Sequence, residues 1–220
     1  MQDWSRYTTA GPIGASRPVD HVELGPSHTD VLDRKLLGDV NGLRVLELGC
    51  GAGRSSIAMA RQGARVVAVE PDQIEVDRVR AAAEIAEVHV EAHQGDIAQL
   101  AFLPADSFDV ILAVHSLAAT ENIGRLFRQA HRLLRIDRPI VLSLPHPTAL
   151  MIDPANSTKV VRDYGGSAPL GEANNLTYPH TIGDVFTQLT RANFRVDTLI
   201  ESPVGAVPDT VIFRARKTGS

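Results

Sequence analysis

Apolar and polar positions along the chain follow two alternating rhythms. LRVLEL (43–48), ARVVAVE (64–70), Val88 to Ala92, FDVILAVHS (108–116) and PIVLSLP (139–145) are short, mostly apolar runs. Runs of that kind predict strands buried on both faces of a parallel sheet. Helical stretches lie between them. Residues 54–62 suit one helix, and Pro71 and Asp72 open a second that runs to about Ile85, with Asp72 and Glu75 spaced as a cap. Residues 121–135 place Ile123, Leu126, Phe127, Ala130, Leu133 and Leu134 on one helical face. A helix near 181–192 and two strands, FRVDTLIES (194–202) and DTVIFRARK (209–217), close the pattern. The short Pro/Gly linker between those two strands predicts antiparallel pairing as an edge hairpin. Strands alternating with helices predict an α/β fold with a mainly parallel sheet.

Two segments break the rhythm. Residues 1–26 carry Gly11, Pro12, Gly14, Pro18, Gly25 and Pro26 and read as an irregular arm. Ser27 and Asp30 then resemble a capping box for a short helix through Leu37. Residues 146–180 are rich in Pro and Gly, with few periodic apolar positions. Long loops in compact domains are uncommon and tend to be functional. This one leaves the carboxyl end of the fifth strand, the side on which open α/β sheets bind ligands. It is expected to be a lid-like or substrate-recognition insert within a single domain spanning 1–220.

Composition narrows the setting. At 220 residues, 44% apolar and 22% charged, the chain resembles soluble globular proteins and can bury a sizeable core. The 26 acidic against 22 basic residues argue against nucleic acid or an anionic membrane surface as the main partner. One cysteine, Cys50, excludes an intrachain disulfide framework and a multi-cysteine zinc site. No apolar run approaches a membrane-spanning length, and the first residues lack a secretory apolar core. A cytoplasmic protein without metal is expected, and a homodimer is left open.

The chemistry concentrates in VLELGCGAGRSS (45–56). A strand runs into Gly49, Gly51 and Gly53, and a helix begins near Arg54. Glycines there let a ligand approach the backbone, beside the free N–H groups of a helix start. No register gives the phosphate-binding G-x-x-x-x-G-K-[ST], and the turn lacks lysine. The dinucleotide pattern G-x-G-x-x-G fails because its third glycine would fall on Arg54. What stands there is Glu-x-Gly-x-Gly-x-Gly, beginning at Glu47. A carboxylate at this turn would repel pyrophosphate and suit an ammonium or sulfonium. Glu70 ends the second strand, where an acid can accept both hydroxyls of a ribose. Asp96 follows the third strand. Together these describe a nucleoside with an attached cation and no phosphates, which is S-adenosylmethionine (SAM).

VLELGCGAGRSS, VVAVEPDQ, GDIAQLAFLPADSFDVILA and LFRQAHRLLR resemble, in order and spacing, a class I SAM-dependent methyltransferase of the small-molecule type. The resemblance is strongest over about 27–145 and extends to HTIGDVFTQLTRANFRVDTLIESP (180–203). It implies a Rossmann-like, seven-stranded, mainly parallel sheet with helices on both faces and the last strand antiparallel. It also implies methyl transfer to a small-molecule acceptor whose attacked atom (O, N, S or C) stays open. By that likeness Glu47, Gly49, Cys50, Gly51 and Gly53 line the methionine part of the cofactor. Glu70 and Pro71 hold the ribose side, Asp96 faces the adenine amino group with Ile97 stacking nearby, and His115 lies beside the sulfonium. The chain departs from the family's Lys-Pro-Gly-Gly-like turn, having Ile136 to Pro139. It also lacks the Asn-Pro-Pro-Tyr pattern of nucleic-acid and protein-glutamine N-methyltransferases, having AVHSLAAT.

A methyl sulfonium is already activated, so no covalent role is expected for Cys50. An oxygen acceptor must lose a proton, and an imidazole is suited to take it. His115, His146 and His180 are the candidates, with His146 also a candidate substrate contact. Trp4, Tyr7, Tyr164 and Tyr178 are candidates for an aromatic cover over the substrate. Two other readings share the features: a SAM-binding protein without methyl transfer, and a nicotinamide-dependent oxidoreductase, which the failed dinucleotide pattern disfavours.

Overall fold

The apolar runs assemble into a seven-stranded sheet. The computed structural model describes residues 21–25, 36–153, 156–166, 168–171, 176–201 and 207–219. The strands are β1 (Arg44–Leu48), β2 (Arg65–Glu70), β3 (Val90–Gln94), β4 (Val110–Val114), β5 (Pro139–Pro145), β8 (Phe194–Glu201) and β9 (Thr210–Lys217). Their spatial order is β3-β2-β1-β4-β5-β9-β8. β1 to β5 are parallel; β9 runs antiparallel between β5 and β8. The chain winds outward from β1 in one direction to β3 and from β4 in the other to β5. The carboxyl ends of β1 and β4 therefore flank the point where the order reverses.

Helices cover both faces because the strand residues are apolar on both. On one face α3 (Ile123–Leu133) and α5 (Ile182–Arg191) pack Leu126, Phe127, Val185 and Leu189 against Leu46, Leu48 and Ile111. On the other, α1 (Arg54–Arg61) and α2 (Gln73–Ile85) bring Met59, Val76 and Val79 onto Val45 and Leu112. The helix starts are capped as the composition suggests. The side chains of Asp72 and Asn122 accept from Ile74 N and Arg125 N, and Thr181 and Asp184 form a reciprocal capping box.

Several boundaries and one segment differ from expectation. β3 begins at Val90, not Val88. The Val88 N–H donates back to Ala83 O and Glu87 takes a φ of 56°, so these residues terminate α2 before the strand can start. β4 begins at Val110 because Asp109 is occupied elsewhere: its carboxylate accepts from Arg44 N and pairs with Arg135. α3 starts at Ile123, after the Asn122 cap, rather than at 121. The 146–180 segment is not irregular throughout. It contains a short helix, α4 (Pro147–Met151), and a hairpin of β6 (Ile152–Asp153) with β7 (Asn156–Val160).

Part of the expected arm also joins the core. Val22 and Leu24 are buried among Leu36, Leu37 and Val40 on the α1–α2 face. Trp4, Tyr7 and most of the expected first helix lie outside the described residues; Leu36 and Leu37 are helical.

Candidate functional site

The glycine turn joins β1 to α1 at the reversal point. Gly49, Gly51 and Gly53 have φ of 68°, 48° and 79°. A Cβ on Gly49 would lie 2.2 Å from the Cβ of Ser116, and one on Gly53 would lie 2.9 Å from Val79. The turn is thus wedged between β4's continuation and α2, and its left-handed residues must be glycine. It is tied down by Gly49 N–H to Val69 O (2.8 Å) and Gly53 N–H to Cys50 O (2.9 Å). Cys50 is buried, and burial together with Glu47 pushes its thiol far above the ordinary range. It is not a thiolate nucleophile.

Three acids surround the turn. Glu47 is 1% exposed, and the Ser56 hydroxyl on α1 donates to its Oε2. Its Oε1 has no hydrogen-bond partner. Burial raises its pKa from 4.5 to about 7, against the lowering effect of the Ser56 hydrogen bonds. Glu70 Oε2 accepts from Gly51 N (2.9 Å) and Oε1 from Asp72 N (3.3 Å), so this acid shapes the turn itself. Burial raises its pKa too, offset in part by those two N–H groups. Pro71 is exposed beside it. Asp96 accepts from Ala98 N and Gln99 Nε2, both at 2.8 Å. Ile97 is packed into the α3-side core.

The carboxyl end of β4 completes the centre. His115 is a buried, non-glycine residue at φ 56°, held by its N–H to Ser143 O (2.9 Å). Such a backbone position is uncommon and worth a functional question. It starts a 3₁₀ turn, Ser116–Ala119, whose first hydroxyl donates to Leu48 O (2.5 Å). That bond latches β4's continuation to the end of β1. The 21–25 strand of chain lies over the same place. A Cβ on Gly25 would lie 2.7 Å from Thr210 Oγ1 and 3.2 Å from His115 Nε2. Glu23 pairs with Arg54, the first residue of α1, at 3.1 Å.

The other two histidines belong to the 146–180 segment. His146 is buried, with Nδ1 against Thr148 Oγ1 (2.5 Å) and Nε2 against Glu201 Oε1 (2.7 Å). Both ring nitrogens are therefore engaged, and the ring joins α4 to the end of β8. The Nε2–H of His180 donates to Thr120 O (2.7 Å). Burial lowers its pKa below 6.5, so the ring is neutral near pH 7. Tyr178 N–H donates to Ala118 O (2.7 Å), so residues 178–180 dock on the 3₁₀ turn that abuts Gly49. Tyr164 is exposed.

Three comparisons bear on the chain. Residues 45–137 match the family described as "Methyltransferase domain". A magnesium-protoporphyrin O-methyltransferase from Rhodobacter capsulatus is 32% identical over 153 residues, 68% of this chain and 66% of that one. A ubiquinone biosynthesis O-methyltransferase from Azorhizobium caulinodans is 32% identical over 148 residues, 64% of this chain and 56% of that one. The crystal structure of a SAM-dependent methyltransferase from Mesorhizobium loti superposes with a TM-score of 0.75 at 25% identity, covering 84% of this chain and 95% of that one. The chain belongs to the class I SAM-dependent methyltransferases. It spans less than two thirds of the length of the two O-methyltransferases it resembles.

The cofactor of such a methyltransferase is SAM, and the residues present fit it. A buried carboxylate oxygen without a partner, Glu47 Oε1, stands beside the glycine turn, where a cation is wanted. The N–H groups at the start of α1 carry no phosphate-gripping lysine near them. Sequence reasoning missed four side chains that the fold brings to the candidate site: Ser56, Ser116, Ser143 and Thr210. Ser143 Oγ and Thr210 Oγ1 are buried without partners at the carboxyl end of β5 and the start of β9. A serine interrupting an otherwise apolar strand was the signal for Ser143. Val22 and Leu24 carried one too, an apolar-polar-apolar alternation around Glu23 inside a Gly/Pro-rich stretch. Among the described residues no cluster of three His, Cys, Asp or Glu side chains could hold a metal, and no helix is long and apolar enough to cross a membrane.

Proposed function

We propose that this protein transfers a methyl group from SAM to a small-molecule acceptor, in the cytoplasm and without nucleic acid as a partner. The observation that carries the reading is the pair of acids on the glycine turn. Glu47 offers a buried, unpartnered oxygen, and Glu70 holds Gly51 N–H while keeping further lone pairs for a diol. SAM, when bound, supplies a methyl group already activated by its sulfonium.

The chain's own residues then bind, orient and exclude water. The glycines admit the ligand to the backbone. Glu47 compensates a positive charge, and Glu70, beside Pro71, accepts from hydroxyls. Asp96 is assigned to the adenine amino group, with Ile97 beside the ring. Holding two reactants in line supplies much of such a reaction's barrier lowering, up to ~7–11 kcal/mol. For an oxygen acceptor His115 is the base we favour. It is buried, its backbone is pinned at positive φ, and the next residue touches the glycine turn. His180 is neutral and lines the approach from the 146–180 segment. His146, with both nitrogens engaged, positions that segment instead. Residues 21–25 and the described residues of the 146–180 segment together form the cover over the reactants, with Tyr178 assigned to it.

The test is calorimetry with S-adenosylhomocysteine (SAH) on wild type, Glu70→Ala and His115→Ala, followed by methyl transfer to a panel of phenols, amines and thiols. Glu70→Ala should lose binding at least tenfold. His115→Ala should keep SAH binding within threefold and lose turnover with phenols by 10²–10⁴-fold. Absence of SAH binding to the wild type would overturn the reading. Tight SAH binding with no acceptor methylated would favour a SAM-binding protein without transfer.

A further inference from the structure

Described residues of the 146–180 segment line a half-open cavity of their own, of about 390 Å³. That is within the size range of small-molecule sites, roughly 300–1,000 Å³. Pro147, Leu150, Met151, Ala168, Leu170 and Pro179 line it. Leu150 and Leu170 are buried against each other, apart from the two main cores. The walls are framed by backbone bonds: Val161 N–H to Met151 O (2.8 Å), and Leu170 and Thr177 exchanging both of theirs at 2.8 and 2.7 Å. This is built structure rather than a gap between loops. The charged side chains on it, Arg162 and Asp163, are exposed and of opposite sign.

Its position links it to the cofactor turn. Pro147, on the lining, lies two residues past the end of β5, at the sheet's carboxyl end. Pro179, also on the lining, sits between Tyr178 and His180, which bond to Ala118 of the 3₁₀ turn and to Thr120 just after it. The first residue of that turn, Ser116, is the one a Cβ on Gly49 would strike. A single turn of chain thus has the cofactor glycines on one side and the cavity wall on the other.

We infer that this cavity holds the apolar body of the methyl acceptor, leaving its nucleophilic atom to reach toward His180 and His115. This rests on the methyl-transfer reading above. The acceptor class is an uncharged molecule with a ring or short alkyl portion. Against the leucines, methionine and prolines, a charged or amide-rich body would lose hydration without gaining partners; Arg162 and Asp163 stand on the exposed part of the lining.

Two measurements test this separately from the reaction itself. The first is fluorescence titration with N-phenyl-1-naphthylamine, a neutral apolar probe, in the presence of saturating SAH. Ala168→Phe should fill the cavity from an exposed position and weaken probe binding about tenfold, with SAH binding unchanged. Met151→Ala should keep it within threefold. The second is kcat/KM for a series of 4-alkylcatechols. The wild type should favour longer chains, Ala168→Phe should lose that preference, and Met151→Ala should shift it to still longer chains. No probe binding to the wild type, or equal binding to Ala168→Phe, overturns the inference. Methylation that ignores both chain length and Ala168→Phe also overturns it, while leaving methyl transfer intact. Probe binding that follows the cavity, with no catechol methylated, supports the cavity as a site, and the panel of phenols, amines and thiols then decides the methyl-transfer reading.

Discussion

Replacing Glu47 by Gln should stabilise the ligand-free protein in alkaline solution and weaken its hold on SAM. Glu47 is buried, and its pKa rises from 4.5 to about 7. In the unfolded chain the carboxyl ionises near 4.5; in the folded chain it keeps its proton up to about 7. The proton therefore favours the fold fully below 4.5, and that advantage is lost as the pH climbs through 7. The distance from 4.5 to about 7, at about 1.4 kcal/mol per pH unit, is roughly 3 kcal/mol. Glutamine has the same shape, can still accept from the Ser56 hydroxyl, and does not ionise. Urea unfolding of both proteins should give nearly equal stabilities at pH 4.5. At pH 8 the Glu47→Gln protein should be the more stable, by up to ~3 kcal/mol. Bound SAM reverses the sign, because its cationic groups favour the carboxylate. Calorimetry at pH 6 in buffers of different ionisation enthalpy should register proton release when SAM binds the wild type, and none from this site in Glu47→Gln. A stability difference that does not change with pH would refute the reasoning.

Two further outcomes follow from close contacts. Gly49→Ala adds a Cβ 2.2 Å from that of Ser116 and forces alanine to φ 68°; left-handed strain of ~1–2 kcal/mol and overpacking of ~1–3 kcal/mol should lower Tm by about 5–15 °C in calorimetry. Adding Ser116→Gly should recover the overpacking part and not the strain. His146→Ala removes the ring that joins α4 to Glu201; trypsin should then cut the 156–166 region, which carries exposed Lys159 and Arg162, at least fivefold faster, with SAH affinity unchanged.

The glycine turn and its two strand-end acids were legible in the sequence for one physical reason. Each is set by local spacing: a strand that must end, a φ that only glycine adopts, an acid at the next strand's tip. The amphipathic face of α3 was legible for the same reason. What escaped detection depends on contacts between distant segments. Nothing near Ser116 announces that its side chain will pack against Gly49, and nothing near His146 announces Glu201. The start of β3 was misjudged because Val88 is a good strand former whose N–H is claimed by Ala83. Tertiary demand overrode propensity there. The 146–180 segment looked irregular because its few apolar residues, such as Leu150 and Leu170, meet each other across the loop rather than along it.

The position of β9 has a consequence for synthesis. β5 pairs with β4 on one side and with β9 on the other, yet the whole 146–180 segment, α5 and β8 are made before Thr210 emerges. At roughly 5–20 residues per second, β5 leaves one edge unpaired for on the order of seconds. That edge is PIVLSLP, buried throughout in the finished molecule. Unpaired apolar edges are templates for pairing with another chain. The nascent protein is therefore most exposed to misassembly late, with nearly all of its sheet already formed.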